Sequence, residues 1–250
     1  TRSGGHDATL YTHLDDFVES TRVVTPQGTL ESRRLPGSGA GPSPDRMFIG
    51  SEGILGIITE AWVRLRKKPT FRASASVRFK DFFAGADAVR EITQAGLYPA
   101  NCRLLEAREA LPGIPWSNEE AVLVLAFESA DHPLDAWMAR ALEICRDHGG
   151  VADASGGDDE NAHRSGAAGA WRNKFIRAPH YGEHAVARGI LSSTFETSMT
   201  WERTRDFHTK ITKIAKDTIK RVTGREGTVT CRFTHVYPDG PCLYFTFGGI

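Results

Sequence analysis

The chain has 250 residues, no net formal charge, 40% hydrophobic and 25% charged residues, a balance ordinary for a globular protein with room for one large domain or two small ones. With no net charge, nothing in the composition suggests a nucleic-acid electrostatic footprint. Its four cysteines, Cys102, Cys145, Cys231 and Cys242, are widely spaced without a CxxC pair, which excludes a zinc cluster and a disulfide framework and points to a reducing, cytoplasmic compartment.

No apolar run reaches the length of a spanning helix, and Thr1-Arg-Ser-Gly-Gly5 lacks the features of a signal peptide. The chain opens without an initiator Met and closes on the strand-like Phe245-Thr-Phe-Gly-Gly-Ile250, so both ends read as cut from a longer protein. Asp16 to Val24 is a short amphipathic element, followed by the turn signal Thr25-Pro-Gln-Gly28. Leu35 to Asp45 is rich in Gly, Pro and Ser and is expected to be a mobile loop. Next comes Phe48-Ile-Gly-Ser-Glu-Gly-Ile-Leu-Gly-Ile-Ile-Thr-Glu60, in which Gly50, Gly53 and Gly56 alternate with aliphatic residues and Glu52 sits between two of them. Glycine admits positive φ and lets backbone approach a bulky ligand. The β-branched run Ile57-Ile58-Thr59 reads as a buried strand. On spacing alone, a tight turn into a core strand accounts for the glycines better than a nucleotide cofactor does. The charged stretch Arg66-Lys-Lys-Pro69 marks a domain boundary, giving units 1–68 and 69–250.

Beyond it, Ala73 to Phe79 alternates as a strand, and Asp81 caps a helix running to Gly96 with Phe82, Phe83, Ala86, Val89 and Ile92 at helical spacing. Cys102 to Glu106 and Ala121 to Phe127 are strands, and a helix is expected from Asp131 to about His148, stopped by Gly149-Gly150. Asp153 to Gly169 is a polar loop or frayed helix start, and Trp171 to Ile176 continues as helix. Gly189 to Thr200 is extended, and a long amphipathic helix runs from Trp201 to Val222. Thr228 to Tyr237 and Cys242 to Phe247 form a hairpin around Pro238-Asp-Gly-Pro241. Strands and helices segregated in this way fit an α+β layer of helices on an antiparallel sheet, and no repeat at a fixed period is visible.

The hairpin carries the residues best suited to chemistry. His235 and Tyr244 fall on adjacent strands, where they can face each other across a site. Taken singly, each is better explained as a hydrogen-bonded or half-buried strand residue. Arg103 and Arg177 are candidate anion forks, which guanidinium supplies better than ammonium. Each also has the simpler explanation of a stem covering apolar surface.

Two longer patterns carry a resemblance. Gly-Ser-Glu-Gly-x-Leu-Gly-x-Ile-Thr-Glu, followed by Ala61-Trp-Val-Arg-Leu-Arg66 and Pro69, resembles the segment that closes the FAD domain of vanillyl-alcohol-oxidase-type flavoenzymes. Thr230-Cys-Arg-x-Thr-x-x-Tyr-x-x-Gly-x-Cys-x-Tyr-Phe245, with Phe195-Glu-Thr-Ser198 and Trp201 upstream, resembles the alkyldihydroxyacetonephosphate synthase family of that fold. The resemblance spans essentially the whole chain. It implies the C-terminal part of an FAD-binding domain over 1–68, then an antiparallel-sheet-plus-helices substrate (cap) domain over 69–250, truncated at its C-terminal end. It implies FAD as cofactor, lying along Thr1, Arg2, Ser3 and Gly4 and along Glu52, Gly53, Ile54, Leu55, Gly56, Ile57 and Ile58. Thr12-His13 stands where the family usually has glycine and asparagine.

By the same resemblance, Tyr244 is the catalytic acid/base. Pro99-Ala-Asn-Cys-Arg-Leu104 supplies Arg103 as a further catalytic residue, and Phe175-Ile-Arg177 supplies Arg177 for substrate binding. His235 is the third catalytic candidate, as a cation beside the phenolate. The implied reaction exchanges the acyl group of acyl-dihydroxyacetone phosphate for a fatty alcohol, in ether-lipid synthesis. The implied partners are a lipid-phosphate or hydroxy-acid substrate, with no nucleic acid and no metal. Peripheral membrane contact and a homodimer are left open. The family's pyrophosphate loop is expected before Thr1 and its run of histidines after Ile250. Two alternatives remain. FAD-linked 2-hydroxy-acid dehydrogenases carry His-x-Gly-Asp-Gly-Asn-x-His where this chain runs from His235 to Tyr244. Here His235, Asp239 and Gly240 survive, but Tyr244 replaces the second, metal-binding His, and a lone His is a poor metal site. A non-catalytic binding protein is the other, against which Arg103, Arg177 and Tyr244 together argue.

Overall fold

Pro26 and Gly28 sit where a chain rich in β-branched residues must reverse, and they set the first hairpin of the protein. A computed structural model describes residues 3–5, 9–35, 41–110, 120–152 and 186–249. Residues 36–40 and the 153–176 stretch, for which a loop and a helix are expected, lie outside the described residues, as do Thr1, Arg2 and Arg177. Two units are distinguished, Thr1–Lys68 and Pro69–Ile250.

In the first unit, β1 (Val18–Thr25) turns into β2 (Gly28–Glu31), with Gly28 at φ 129° and Thr25 Oγ1 donating to its carbonyl at 2.9 Å. The short helix α1 (Asp45–Phe48) is tied to this hairpin because Asp45 Oδ1 accepts from Thr21 Oγ1 at 2.5 Å and from Ser32 Oγ at 2.7 Å. β3 (Ile57–Val63) pairs antiparallel with the other side of β1, giving the order β2-β1-β3. The expectation that Ile57-Ile58-Thr59 is buried is corrected here. Ile57 is 61% and Ile58 42% exposed, whereas Val23 on the central strand is 1% exposed. β-branched composition favours a strand, but an edge strand of a three-stranded sheet gains cover only where another layer lies on it.

The second unit begins with β4 (Phe71–Phe79) and helix α2 (Phe82–Gln94). Asp81 caps α2 as its sequence requires, its Oδ1 accepting from Phe83 N–H at 2.8 Å and Ala84 N–H at 3.0 Å. There follow β5 (Asn101–Glu106), the one-turn α3 (Ala107–Ala110), β6 (Ala121–Ser129), α4 (Asp135–Asp147) and β7 (Val151–Ala152). α4 starts four residues later than Asp131 suggests, because Ser129 Oγ accepts from the N–H of Asp131 and of His132, both at 3.1 Å, and bends the chain before Pro133. Gly149, at φ 77°, ends the helix, and a Cβ on Gly150 would lie 2.7 Å from the Cys145 carbonyl. After the undescribed stretch come β8 (Leu191–Ser198), the long helix α5 (Trp201–Thr223), β9 (Thr228–Val236) and β10 (Pro241–Gly249). α5 is closed by Gly224 at φ 75°.

Among the described residues, seven strands pair antiparallel in the order β7-β4-β6-β5-β9-β10-β8. The architecture is α+β. It also repeats, since β4-α2-β5-β6 and β8-α5-β9-β10 each run strand, helix, then hairpin, with the last strand returning beside the first. The two half-sheets meet at β5 and β9, where Leu105 lies opposite Arg232. Helices of 13 and 23 residues and unequal links hide this repeat from any fixed-period reading of the sequence. One sheet face packs on the helices. Cys102, Leu104, Leu123, Cys231, Phe233, Leu243 and Phe245 are buried there with Phe82, Val89, Ile92 and Ile144. Burying each large apolar side chain contributes about 1.5–3 kcal/mol.

Candidate active site

Strand alternation puts polar side chains on the other face of the same sheet. Arg103 alternates with the core residues Cys102 and Leu104, and Arg232 and Thr234 with Cys231 and Phe233. Tyr244 and Thr246 alternate with Leu243 and Phe245, all as core membership shows. Register brings them together. Tyr244 lies across from Arg232 on β9 and from Glu196 on β8, and Thr246 across from Thr230 and Thr194. Although this face is polar, Arg103 and Thr234 are 1% exposed and Arg232 is 7% exposed. Buried polar groups of this kind need partners, and the contacts form a network. Arg103 Nη2 donates to the Thr234 carbonyl at 3.3 Å, and Thr234 Oγ1 donates to the Glu196 carboxylate. Arg232 Nη1 donates to Glu109 of α3, which also accepts from Thr230 Oγ1 and, at 3.3 Å, from Thr246 Oγ1. The Tyr244 hydroxyl donates to Thr194 Oγ1 at 3.0 Å, and the Arg232 guanidinium carbon lies 3.9 Å from the Tyr244 ring centroid.

His235 sits differently from its sequence-based placement. His235 faces Cys242, and a β-bulge at the next step skips Thr234 of β9, so that Leu243 faces Phe233 and Tyr244 faces Arg232. The cation across from Tyr244 is therefore Arg232, and the expected His235–Tyr244 pairing is corrected on that ground. The same network modulates the neighbouring thiol: burial first, then the Glu196 charge, pushes Cys242 up to about 11. Arg232, Glu109, Glu196, Thr194 and Thr234 were not singled out from the sequence. The available signal was the period-2 run Thr230-x-Arg232-x-Thr234 inside an otherwise apolar strand.

The hairpin turn explains two other residues. The Asp239 carbonyl accepts the Trp201 N–H at 3.1 Å at the start of α5, and a Cβ on Gly240 would overlap the Met199 carbonyl. Gly240 thus has a packing cause, whereas the Asp239 contact is made by backbone and does not depend on its side chain. Among the described residues, no group of three or more His, Cys, Asp and Glu side chains gathers to hold a metal ion.

In the first unit, the glycine segment forms a tight exposed turn. Gly50 (φ 86°), Glu52 (φ 53°) and Gly53 (φ 87°) all have positive φ. For Glu52 this is a conformation non-glycine residues rarely adopt. A Cβ on Gly53 would meet nothing nearer than Ile57 Cδ1 at 3.9 Å, so a ligand can approach the backbone there. Gly56 is different, because a Cβ there would fall 2.9 Å from the Val24 carbonyl, so its glycine serves the β1–β3 contact. Ile54 is 84% and Leu55 43% exposed, which with the exposed Ile57 and Ile58 leaves apolar side chains uncovered on and beside the turn. Ser3 bridges to His13, and Gly4 donates its N–H to the Thr12 carbonyl at 2.6 Å. The open turn and the uncovered apolar side chains around it fit a large flat group such as a flavin dinucleotide. An open cleft of about 890 Å³ in this unit, lined by Glu19, Arg33, Asp45, Arg46 and Arg64 among others, contains none of these residues.

Residues 68–249 match the family model described as FAD linked oxidases, C-terminal domain. The chain belongs to this family. It is 24% identical to the alkyldihydroxyacetonephosphate synthase of Caenorhabditis elegans over 99% of its own length and 45% of that protein's. It is 29% identical to a probable mitochondrial D-lactate dehydrogenase of Danio rerio over 66% of its length and 35% of that protein's. A solved alkyldihydroxyacetonephosphate synthase superposes with a TM-score of 0.79 at 21% identity, covering 99% of this chain and 47% of the other. The fold expected from the sequence is thus the one found. The chain spans less than half the length of these relatives.

Proposed function

We propose that this chain contributes the substrate-facing sheet and part of the FAD site of an FAD-dependent enzyme of the alkylglycerone-phosphate synthase type. In that reading the enzyme exchanges the acyl group of acyl-dihydroxyacetone phosphate for a fatty alcohol. The observation that carries the reading is the gathering of Tyr244, Arg103 and Arg232 on one buried polar sheet face, with the Tyr244 hydroxyl hydrogen-bonded to Thr194. A phenol held among cations suits proton transfer at carbon next to a carbonyl. Tyr244, as phenolate, takes the proton from the substrate carbon and returns it after exchange. Arg103 fixes anionic charge on the substrate, and Arg177 is assigned the phosphate. The segments Ser3–Gly4 and Glu52–Ile58, with Thr1 and Arg2, would hold the cofactor. When bound, the flavin supplies the electrophilic ring that makes the exchange run without net redox.

The second reading is an FAD-linked 2-hydroxy-acid dehydrogenase, favoured by the similarity to the Danio rerio protein. Full-length flavoprotein incubated with acyl-dihydroxyacetone phosphate and a labelled long-chain alcohol separates the two. The synthase reading predicts labelled ether product and one fatty acid released per ether, with the flavin oxidised throughout. Flavin bleaching by a D-2-hydroxy acid, with no ether formed, would establish the dehydrogenase reading instead.

A further inference from the structure

Arg232 is held in place more firmly than surface cover requires. It is 7% exposed, its Nη1 is bound to Glu109, and Glu109 is itself 7% exposed. Glu109 is in turn fixed by Thr230 and Thr246, which sit opposite each other on β9 and β10, the strands that carry Arg232 and Tyr244. Burying such a pair strips both ions of hydration, and apolar packing of similar volume commonly serves stability as well. The pair therefore calls for a role beyond cohesion. Its guanidinium carbon stands 3.9 Å from the Tyr244 ring centroid, and its buried Nε makes no hydrogen bond among the described residues.

Other charged and titratable groups share this face. From β5, Arg103 is a second cation, its Nη2 donating to the Thr234 carbonyl at 3.3 Å. From β8, Glu196 is the cross-strand neighbour, and its carboxylate is occupied by Thr234 Oγ1. From β9, His235 faces Cys242. From α3, Glu109 approaches through Arg232. A cation against an aromatic face is attracted to it, and a nearby positive charge favours an anionic phenol oxygen.

We propose that Arg232, clamped by Glu109, is the positioning residue for Tyr244: it fixes the ring on the polar face and stabilises the phenolate that accepts the substrate proton. The inference rests on the acid/base reading of Tyr244. As the substrate C–H bond breaks, its proton forms the tyrosine O–H, and Arg232 keeps its charge throughout.

The test uses full-length flavoprotein carrying Arg232→Met, Arg232→Lys, and Arg232→Met combined with Glu109→Gln. The double variant removes the uncompensated carboxylate that can prevent the single variant from folding. Two quantities are read. One is the pH at which the near-ultraviolet phenolate absorbance of Tyr244 appears, taken as the difference from Tyr244→Phe. The other is the acid limb of the kcat/KM profile. The expected result is that both move to higher pH in the double variant, with a loss of kcat/KM on the acid side. Arg232→Lys should recover part of the shift, and KM should change less than kcat. A folded, flavin-loaded double variant with an unmoved absorbance onset overturns the proposal. The absorbance does not depend on turnover. Should Tyr244→Phe keep its activity, the acid/base reading falls, and the absorbance alone still decides whether Arg232 acts on the phenolate.

Discussion

Glu106, the last residue of β5, accepts a hydrogen bond from His208 of α5 at 2.8 Å and another from the Cys231 N–H of β9 at 3.1 Å. One carboxylate thus joins three elements at the seam where the two half-sheets meet. His208 is further packed against Phe82 of α2, with ring centroids 5.1 Å apart and an interplanar angle of 23°. Leaving a buried donor without a partner costs about 1–3 kcal/mol. Glu106→Leu strands two donors and should lower the urea midpoint clearly, whereas Glu106→Gln keeps an acceptor and should cost about 1 kcal/mol. An unchanged midpoint for Glu106→Leu would show that the seam does not depend on this carboxylate.

Gly240 tests whether the β9–β10 turn is built for packing. Its missing Cβ is the space occupied by the Met199 carbonyl, and the turn is closed by Tyr237 and Gly240 hydrogen bonds of 3.0 and 3.2 Å. Gly240→Ala forces backbone to move and should destabilise by about 1–3 kcal/mol, the usual cost of overpacking. It should also loosen the start of α5, seen as faster amide exchange at Trp201. Wild-type stability in this variant would mean that the turn relaxes freely.

The cysteines should be inert in the native protein. Burial pushes Cys145 up to about 12, while burial and Glu196 push Cys242 up to about 11, from an ordinary 9.0. Burial likewise raises Cys102 and Cys231. The thiolate is the reactive form, so thiol-specific reagents at pH 8 should label the folded protein slowly and the unfolded protein fully. The folded state holds protons that the unfolded state loses above about pH 9, so these groups contribute stability that is present below that pH. It declines as pH rises through about 11 to 12. Rapid stoichiometric labelling of native protein at pH 8 would contradict this.

Much of the second unit was legible because local rules and tertiary packing agree there. Asp81 caps α2, Gly224 closes α5, and Pro238-Asp-Gly-Pro241 turns β9 into β10, each as its residue chemistry dictates. The misread elements are those decided at longer range. Ile57 and Ile58 have the composition of buried residues, yet edge position leaves them exposed. The helix at Asp131 is delayed by a hydroxyl on Ser129. At the site, Tyr244 was visible through its motif. Its partner was not, because the register pairs His235 with Cys242, and a bulge in β9 then brings Arg232 across from Tyr244 where an unbroken ladder would bring Phe233.

The most direct test of the account is Tyr244→Phe in the full-length flavoprotein. The substitution removes only the hydroxyl and its hydrogen bond to Thr194, leaving the ring on Arg232. Stability and bound flavin should be close to wild type, while turnover falls by roughly 10²–10⁴, the usual contribution of a general acid–base group. Near-normal turnover in a folded, flavin-loaded Tyr244→Phe enzyme would contradict the assignment of proton transfer to this residue.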